Sequence, residues 1–475
     1  MAVNRNFIVK QGVQVGANLT IGGTLTSNTF ISNKNDVLIR PSLMLDFSTG
    51  QLDSRVQSLR NSNASYVAAN RKIVEVGPNT PRVEWDLSGR CLGLLSEETR
   101  TNLSGFSDIE GAVGTVPRGM FSAGIWPDQG PTVSTDVWIG PNRQSARHVR
   151  GLTGGGDSNV GYLGSFTGVT NAWFTGSVYV YIPSTTNIAL CILTLESGTL
   201  VLNPNPGMTA NLSLRDTWQR LTATSLVTGG TGTAAAVLRI EPVGAFVYSD
   251  CWQVERGEYA SSWIPTTNVG SATRQEDINV ITPVSPYINT ASFGVAVEAT
   301  PRWSANALMT TTLTSDGSAN PNRGLWALDW SVGPITQFGA TPYNGYSGMI
   351  FQGSSTGSLL LNSREYGNTT HGFANSGTSR SVSIPSAGYS YTSNVIFKAA
   401  YSVTTTDTKL ILNGNNQFST YTGSAYSNNI FVDRLQIGRQ VAGGVGPLTF
   451  GGYIKKISLY SRSLSNNELI ALTEI

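Results

Sequence analysis

Charge is scarce in this chain. Lys plus Arg number 31 and Asp plus Glu 29 among 475 residues, so charged residues make up only 13 % and the net charge is +2. The basic residues are scattered rather than gathered into a stripe, which excludes a nucleic-acid surface. Histidine occurs twice, at His148 and His371, and neither lies near a Gly-x-Ser-x-Gly elbow, so a nucleophilic triad has no base to work with. Cysteine occurs three times, at Cys91, Cys191 and Cys251. An odd, widely spaced set argues against a disulfide framework and against a zinc site. No apolar run approaches the roughly 20 residues of a membrane helix, and Met1 to Asn6 lacks the apolar core of a signal peptide. Synthesis and folding in a cytoplasm, without membrane insertion, are therefore expected. The carboxylates offer no suggestive pair except Glu97-Glu98, and neighbours on a strand point to opposite faces. The expectation is a protein without catalysis.

Turn formers and β formers are plentiful. Glycine numbers 52 and hydrophobic residues reach 40 %, which is the composition of turn-rich β-sheet and not of disorder. The length allows two or three domains. Trp173 to Ile182 alternates, with Gly176, Val178, Val180 and Ile182 on one face and Tyr179 and Tyr181 on the other. Ile188 to Leu195 is apolar on both faces, which predicts a central strand. Further strands follow at Trp218 to Ala223, Ala235 to Ile240 and Phe246 to Val254, a spacing that argues a sandwich or barrel. A second strand set runs from Phe293 to Ile437 and includes Asn413-Gly414, a strong hairpin signal. One helix is predicted near the carboxyl end. Ser465 and Glu468 have capping-box spacing, and Leu464 can staple onto Leu469.

The stretch from Pro81 to Leu103 joins these parts. Val83 and Trp85 alternate with Arg82, Glu84 and Asp86, which predicts a strand with one apolar and one charged face. Leu92, Leu94 and Leu95 need burial. The run Ser96 to Arg100 reads either as a solvated loop or as a Glu98–Arg100 pair. The block Pro81-Arg82-Val83-Glu84-Trp85-Asp86, Cys91-Leu92-Gly93-Leu94-Leu95, Glu97-Glu98 and Arg100-Thr101-Asn102-Leu103 resembles a junction found in tailed-bacteriophage virion proteins. A second block, Trp252 to Gly257 with Ala260 to Thr266, resembles the closing strand of the carbohydrate-binding-type jelly roll that follows that junction. Trp85 and Trp263 stand where tyrosine is common. The opening, through Gly22-Gly23, resembles the amino-terminal segment of phage fibres, and Phe450 to Ser465 resembles the last strand of laminin-G/concanavalin A-like domains.

The expected fold is all-β: an N-terminal β stem or arm, two β-sandwich domains of jelly-roll and concanavalin-like type, and one short C-terminal helix. The expected divisions are a stem for virion attachment at 1–40, a junction at 41–101, a jelly roll at 102–270, a linker at 271–290 and a second sandwich at 291–475. Val13, Val15, Leu19, Ile21 and Leu25 carry an apolar face with no private core, so the stem is either self-associated or docked on another protein. The phage resemblance implies a homotrimer. It also implies a virion location and contacts with other virion proteins. For function it implies a fibre-like appendage recognising host-surface polysaccharide, with a purely structural collar, neck or head-decoration protein and a polysaccharide depolymerase as alternatives. Glycan-binding candidates are the loop residues Tyr343, Asn344, Tyr346, Tyr389 and Tyr391, which set aromatic faces among amide and hydroxyl edges. No cofactor is required. Asp316, Ser318, Asn320 and Asn322 place oxygens at every second position, which reads as a one-carboxylate calcium loop or as a plain surface loop.

Overall fold

The computed structural model describes residues 39–105, 107, 120–122, 132–138, 146–152, 158–162, 171–197, 200–203, 207–230, 232, 234–242, 244–266, 270–304, 323–329, 345–353, 359–367, 380–385, 392–415, 419–422, 432, 434–442 and 446–475. Met1–Arg40 is a unit of its own. The stem expected there lies outside the described residues, apart from Ile39 and Arg40.

Pro41–Ile475 holds two β-sandwiches, one inserted into the other. The host sandwich pairs an eight-stranded sheet with a seven-stranded one. Its eight-stranded sheet runs Ser419–Thr422, Asp407–Leu412, Phe397–Thr404, Ser292–Pro301, Gly452–Tyr460, Cys91–Ser96, Val83–Trp85, with Leu43–Asp46 also on Gly452–Tyr460. The seven-stranded sheet runs Gln57–Leu59, Ile278–Ile281, Arg434–Ile437, Arg323–Asp329, Gly345–Gly353, Leu359–Gly367, Arg380–Pro385. One core lies between them, and Leu43, Leu45, Phe47 and Leu94 contribute to it alongside Trp303, Trp326, Phe351, Tyr401 and Phe450. Residues 41–101 are therefore strands of the second sandwich more than a passage towards it.

The inserted sandwich packs an eight-stranded sheet on a five-stranded one. The first is ordered Val201–Asn203, Trp218–Gly229, Ala172–Tyr181, Tyr248–Arg256, Ala146–Leu152, Thr132–Trp138, with Arg100–Asn102 also on Tyr248–Arg256 and Ala272–Arg274 on Arg100–Asn102. The second is ordered Met208–Thr209, Leu190–Ser197, Ala234–Glu241, Ser158–Tyr162, Met120–Ser122. Val178, Val180, Ile182, Cys191, Leu193, Leu195, Leu221, Trp252 and Val254 fill its interior. Leu190–Ser197 lies between Met208–Thr209 and Ala234–Glu241, an interior strand as expected, but it alternates buried and half-buried positions, so the expectation of two apolar faces is corrected. Ile192 supplied the apolar outer face; it is only half-buried.

The chain enters and leaves the insertion side by side. Arg100–Asn102 pairs antiparallel with Ala272–Arg274, in the register Asn102↔Ala272, Thr101↔Thr273, Arg100↔Arg274. The segment 271–290, read from its polar residues as a linker, is instead two sheet strands, Ala272–Arg274 and Ile278–Ile281, followed by a 3-10 turn at Ser285–Tyr287. A hairpin, Ala64–Val67 with Ile73–Val76, reaches from the host onto the outer face of the insertion, where Val67 and Ile73 cover Tyr179, Cys251 and Trp263.

Local chemistry explains the details. Gly93 takes φ +119, and a Cβ there would stand 2.6 Å from the Ile454 carbonyl oxygen, so only glycine lets Cys91–Ser96 pair this closely with Gly452–Tyr460. Asn413 and Gly414 both adopt left-handed φ, 50° and 65°, as the hairpin signal requires. The carboxyl helix is Asn466–Thr473, with the expected capping box: Glu468 Oε2 accepts from Ser465 N at 2.8 Å, and Ser465 Oγ accepts from Glu468 N. Leu464 and Leu469 are buried as the staple predicted. Cys91, Cys191 and Cys251 are free thiols.

Candidate functional site

The charged face of the junction strand is where sequence and structure part most sharply. Arg82 and Glu84 are 1 % and 5 % exposed, because the inserted sandwich and the hairpin close over them. Arg82 Nη1 donates to Ser65 O at 2.6 Å and Ser262 Oγ at 2.7 Å. Its Nη2 donates to Glu97 Oε2 at 2.9 Å and also to Asp277 Oδ2. Asp277 Oδ1 accepts from Arg60 at 2.8 Å. Glu97, fully buried, takes Ser262 N at 2.7 Å and Arg302 Nη1 at 2.6 Å on one oxygen. On the other it takes Ser262 Oγ at 2.7 Å and Arg82, with Arg274 Nη2 at 3.3 Å.

Beside this lies a second knot. Glu98 accepts from Arg100 and from the Tyr259 hydroxyl, and Arg100 stacks over the Tyr259 ring at 4.5 Å. Of the two readings of Ser96 to Arg100, the Glu98–Arg100 pair is the one present. Burial pushes the Glu97 carboxyl up most strongly, but the Arg274, Arg82 and Arg302 guanidiniums together hold it well below the usual carboxylate range. Glu98 is likewise pulled to about 2 by Arg100 and Arg323 against its burial.

This network ties the strands that carry the chain in and out of the insertion to the hairpin, to Ser262 and Tyr259 of the insertion, and to Arg302 of the host. Glu97 has no exposed surface, and both its oxygens are occupied by donors, so it has no route to a substrate. Its chemistry is that of a keystone. Gly257 shows how tightly it is built: with φ +140, a Cβ there would fall 1.4 Å from Arg100 Nη1. Gly257→Ala is expected to lower stability by about 1–3 kcal/mol from backbone strain alone, with expulsion of Arg100 added, and a thermal melt reads the loss.

The accessible chemistry lies at one end of the insertion's larger sheet. Trp218, Tyr181 and Tyr248 occupy one rung across three adjacent strands, in the register Tyr181↔Trp218 and Tyr181↔Tyr248. Ring centroids are 5.6 Å apart between Tyr181 and Trp218 and 6.1 Å between Tyr181 and Tyr248, with Phe246 a further 6.1 Å beyond Tyr248. Tyr181 stands two residues from Tyr179, so the rung lies on the face away from the core, next to the part the hairpin covers. Tyr181, Trp218 and Phe246 are half-buried, and Tyr248 is buried.

A polar edge flanks the rung. Asp216, fully exposed at φ 53, accepts from Ser184 N at 2.9 Å and from the Tyr181 hydroxyl at 3.3 Å. The Ser184 backbone bond holds its carboxyl below the usual range. Arg215 donates to Leu212 O at 2.8 Å and Thr186 O at 3.1 Å, which pins the two loops that frame this edge. The result is a preformed row of aromatic faces with a fixed acceptor beside it, the arrangement that sugar rings and their hydroxyls use.

Tyr343, Asn344, Tyr389, Tyr391, Asp316, Ser318, Asn320 and Asn322 lie outside the described residues, as does His371. The Tyr346 backbone belongs to Gly345–Gly353, in register with Asp329 and Tyr366. Among the described residues no group of three or more His, Cys, Asp or Glu is placed to hold a metal. The sequence did carry a signal for the rung: Tyr179 and Tyr181 alternate against Val178 and Val180, so two aromatics had to leave the core face.

No family model matches the sequence, and no curated protein matches it. Solved structures similar to this chain include the CBM40 module of the Ruminococcus gnavus IT-sialidase, at 16 % identity over 39 % of this chain and 85 % of that one, TM-score 0.28. The tandem CBM22 module of Paenibacillus barcinonensis Xyn10C is similar at 11 % identity over 77 % and 98 %, TM-score 0.24. Domains LG4-5 of the mouse laminin alpha1 chain are similar at 8 % identity over 75 % and 94 %, TM-score 0.21. Scores of this size carry no argument about ligand; the sandwich architecture rests on the strand pairing above.

Proposed function

We propose that this chain recognises a glycan without turning it over, as part of a bacteriophage virion appendage. The observation that carries the reading is the rung Trp218–Tyr181–Tyr248 with Asp216 at its edge: two half-buried aromatic rings, backed by a buried third, beside a fixed acceptor. The resemblance of the junction block to phage virion proteins supports the location, with residues 1–40 as the attaching and trimerising segment. The depolymerase alternative needs a reachable pair of carboxylates, and the ion-pair network around Glu97 seals that carboxylate from solvent.

The test is a glycan array carrying bacterial capsular and lipopolysaccharide oligosaccharides, read with the full chain and with Trp218→Ala and Tyr181→Ala. Each substitution is expected to weaken binding to the recognised glycan by about tenfold or more, which is ~1.4 kcal/mol or more, with the melting curve little changed. Undiminished binding in both variants would remove the rung from consideration, and release of reducing ends from the bound glycan would overturn recognition without turnover.

A further inference from the structure

Glu84, beside the keystone network, is an acid with no ion pair in it. It sits in Val83–Trp85, the edge strand of the host's eight-stranded sheet, opposite Gly93 and at a register shift between Glu84 and Trp85. Its Oε2 is buried and has no hydrogen-bond partner. Arg82, Arg302, Arg220 and Glu97 are its charged neighbours, and none of the three cations donates to its buried Oε2. Arg82, on the same strand, gives its terminal nitrogens to Ser65 O, Ser262 Oγ, Glu97 and Asp277. Arg82 Nε, also without a partner, does not reach it. Arg302 of the host donates to Glu97 and stacks on Tyr259 and Tyr453. Arg220 of the insertion donates to Ser177 Oγ and Ser261 O and stacks on Tyr179. Glu97 presents a like charge, and the Tyr179 and Tyr453 rings bring low polarity from the two sandwiches.

We propose that Glu84 is a proton-operated latch between the two sandwiches: neutral, its carboxyl lets the host's edge strand lie against the insertion, and ionised, it puts an unpaired anion into that contact and loosens it. The placement alone disfavours the anion, because its Oε2 is buried and accepts from no donor. Burial, opposed mainly by Arg302, pushes the carboxyl up to about 7. The direction follows. A carboxyl whose pKa is higher folded than unfolded stabilises fully below its unfolded value, and that contribution is lost as pH rises through the folded value. The latch is closed in mild acid and opens as pH rises past about 7. Glu97 and Glu98, held low, stay ionised throughout this window.

The test uses the full chain and Glu84→Gln, a neutral mimic of the closed state. Between about pH 5 and about pH 8.5, a range that spans the latch on both sides, the melting temperature of the unsubstituted protein is expected to fall by a few degrees relative to the variant. Hydrogen exchange in 64–76 and 83–96, corrected for intrinsic rate, should accelerate only in the unsubstituted protein. Both proteins carry His148 and His371, so the difference cancels histidine titration. Identical pH profiles would overturn the latch. Should the variant fail to fold, the unsubstituted protein still decides: a buried protonated-carboxyl infrared band present at pH 6 and gone by pH 8.5 supports the latch, and its absence at pH 6 overturns it.

Discussion

Glu97→Ala is expected to cost the protein about 3–5 kcal/mol, among the largest effects available from one substitution. The reason is the company it leaves behind. Arg82, Arg274 and Arg302 all converge on Glu97, and its removal leaves Arg82 and Arg274 with Asp277 and takes from Arg302 the carboxylate it pairs with. The same argument predicts that Glu97→Gln recovers little: an amide can still accept from Ser262 N, but it carries no charge to set against three guanidiniums. Urea unfolding of the full chain at pH 7, compared with an exposed control such as Asp216→Ala, reads the difference. The acid limb follows with its own sign. Glu97 and Glu98 are held low, so the stability they confer is present above the ordinary carboxylate range and drains away as pH falls below it. A loss at Glu97→Ala of under 1 kcal/mol would show that the network rearranges to re-pair its cations.

The second large effect concerns fragments. Residues 271–475 are expected to aggregate or to melt without cooperativity, although the strand pattern after Phe293 reads as a self-sufficient set. The fragment lacks Leu43–Asp46 and Cys91–Ser96, both of which pair with Gly452–Tyr460, and Gln57–Leu59, which pairs with Ile278–Ile281. Leu43, Leu45, Phe47 and Leu94 would be missing from the core. At ~1.5–3 kcal/mol for each fully buried side chain, the deficit is about 6–12 kcal/mol, comparable to the ~5–15 kcal/mol total stability of a domain. Residues 41–475 carry every described strand of both sandwiches and are expected to melt cooperatively. Soluble, cooperatively folding 271–475 would show that the host closes its core without its amino-terminal strands.

These two results mark where the sequence is legible. Local rules predicted the local structure: alternation at 173–182, the capping box at Ser465, the left-handed turn at Asn413-Gly414. Each is decided within a few residues by periodicity or capping chemistry. The nested topology is not local. Nothing in Leu43-Met44-Leu45 says that its partner lies more than four hundred residues downstream, and a polar stretch such as 271–290 reads as a linker because alternation cannot report a strand buried among ion pairs. Arg82 and Glu84 mislead for the same reason. A charged alternate face ordinarily meets water, and here it meets other charges. The aromatic rung was half visible, since Tyr181 had to face outward, but its neighbours Trp218 and Tyr248 become neighbours only through strand order.

The pairing of Arg100–Asn102 with Ala272–Arg274 makes the insertion an exchangeable cartridge. Its two ends emerge as hydrogen-bonded neighbours, so replacing what lies between them leaves the host's chain path unchanged and adds little closure entropy. The socket is not neutral, however. Glu97, Glu98 and Arg100 on one side grip Ser262, Tyr259 and the Arg256 carbonyl on the other. A replacement sandwich would seat only if it brought its own version of 252–266 to that grip. The two sequence blocks flanking the insertion are thus the plug and socket of one connector, and the rung they present to solvent is free to vary between them.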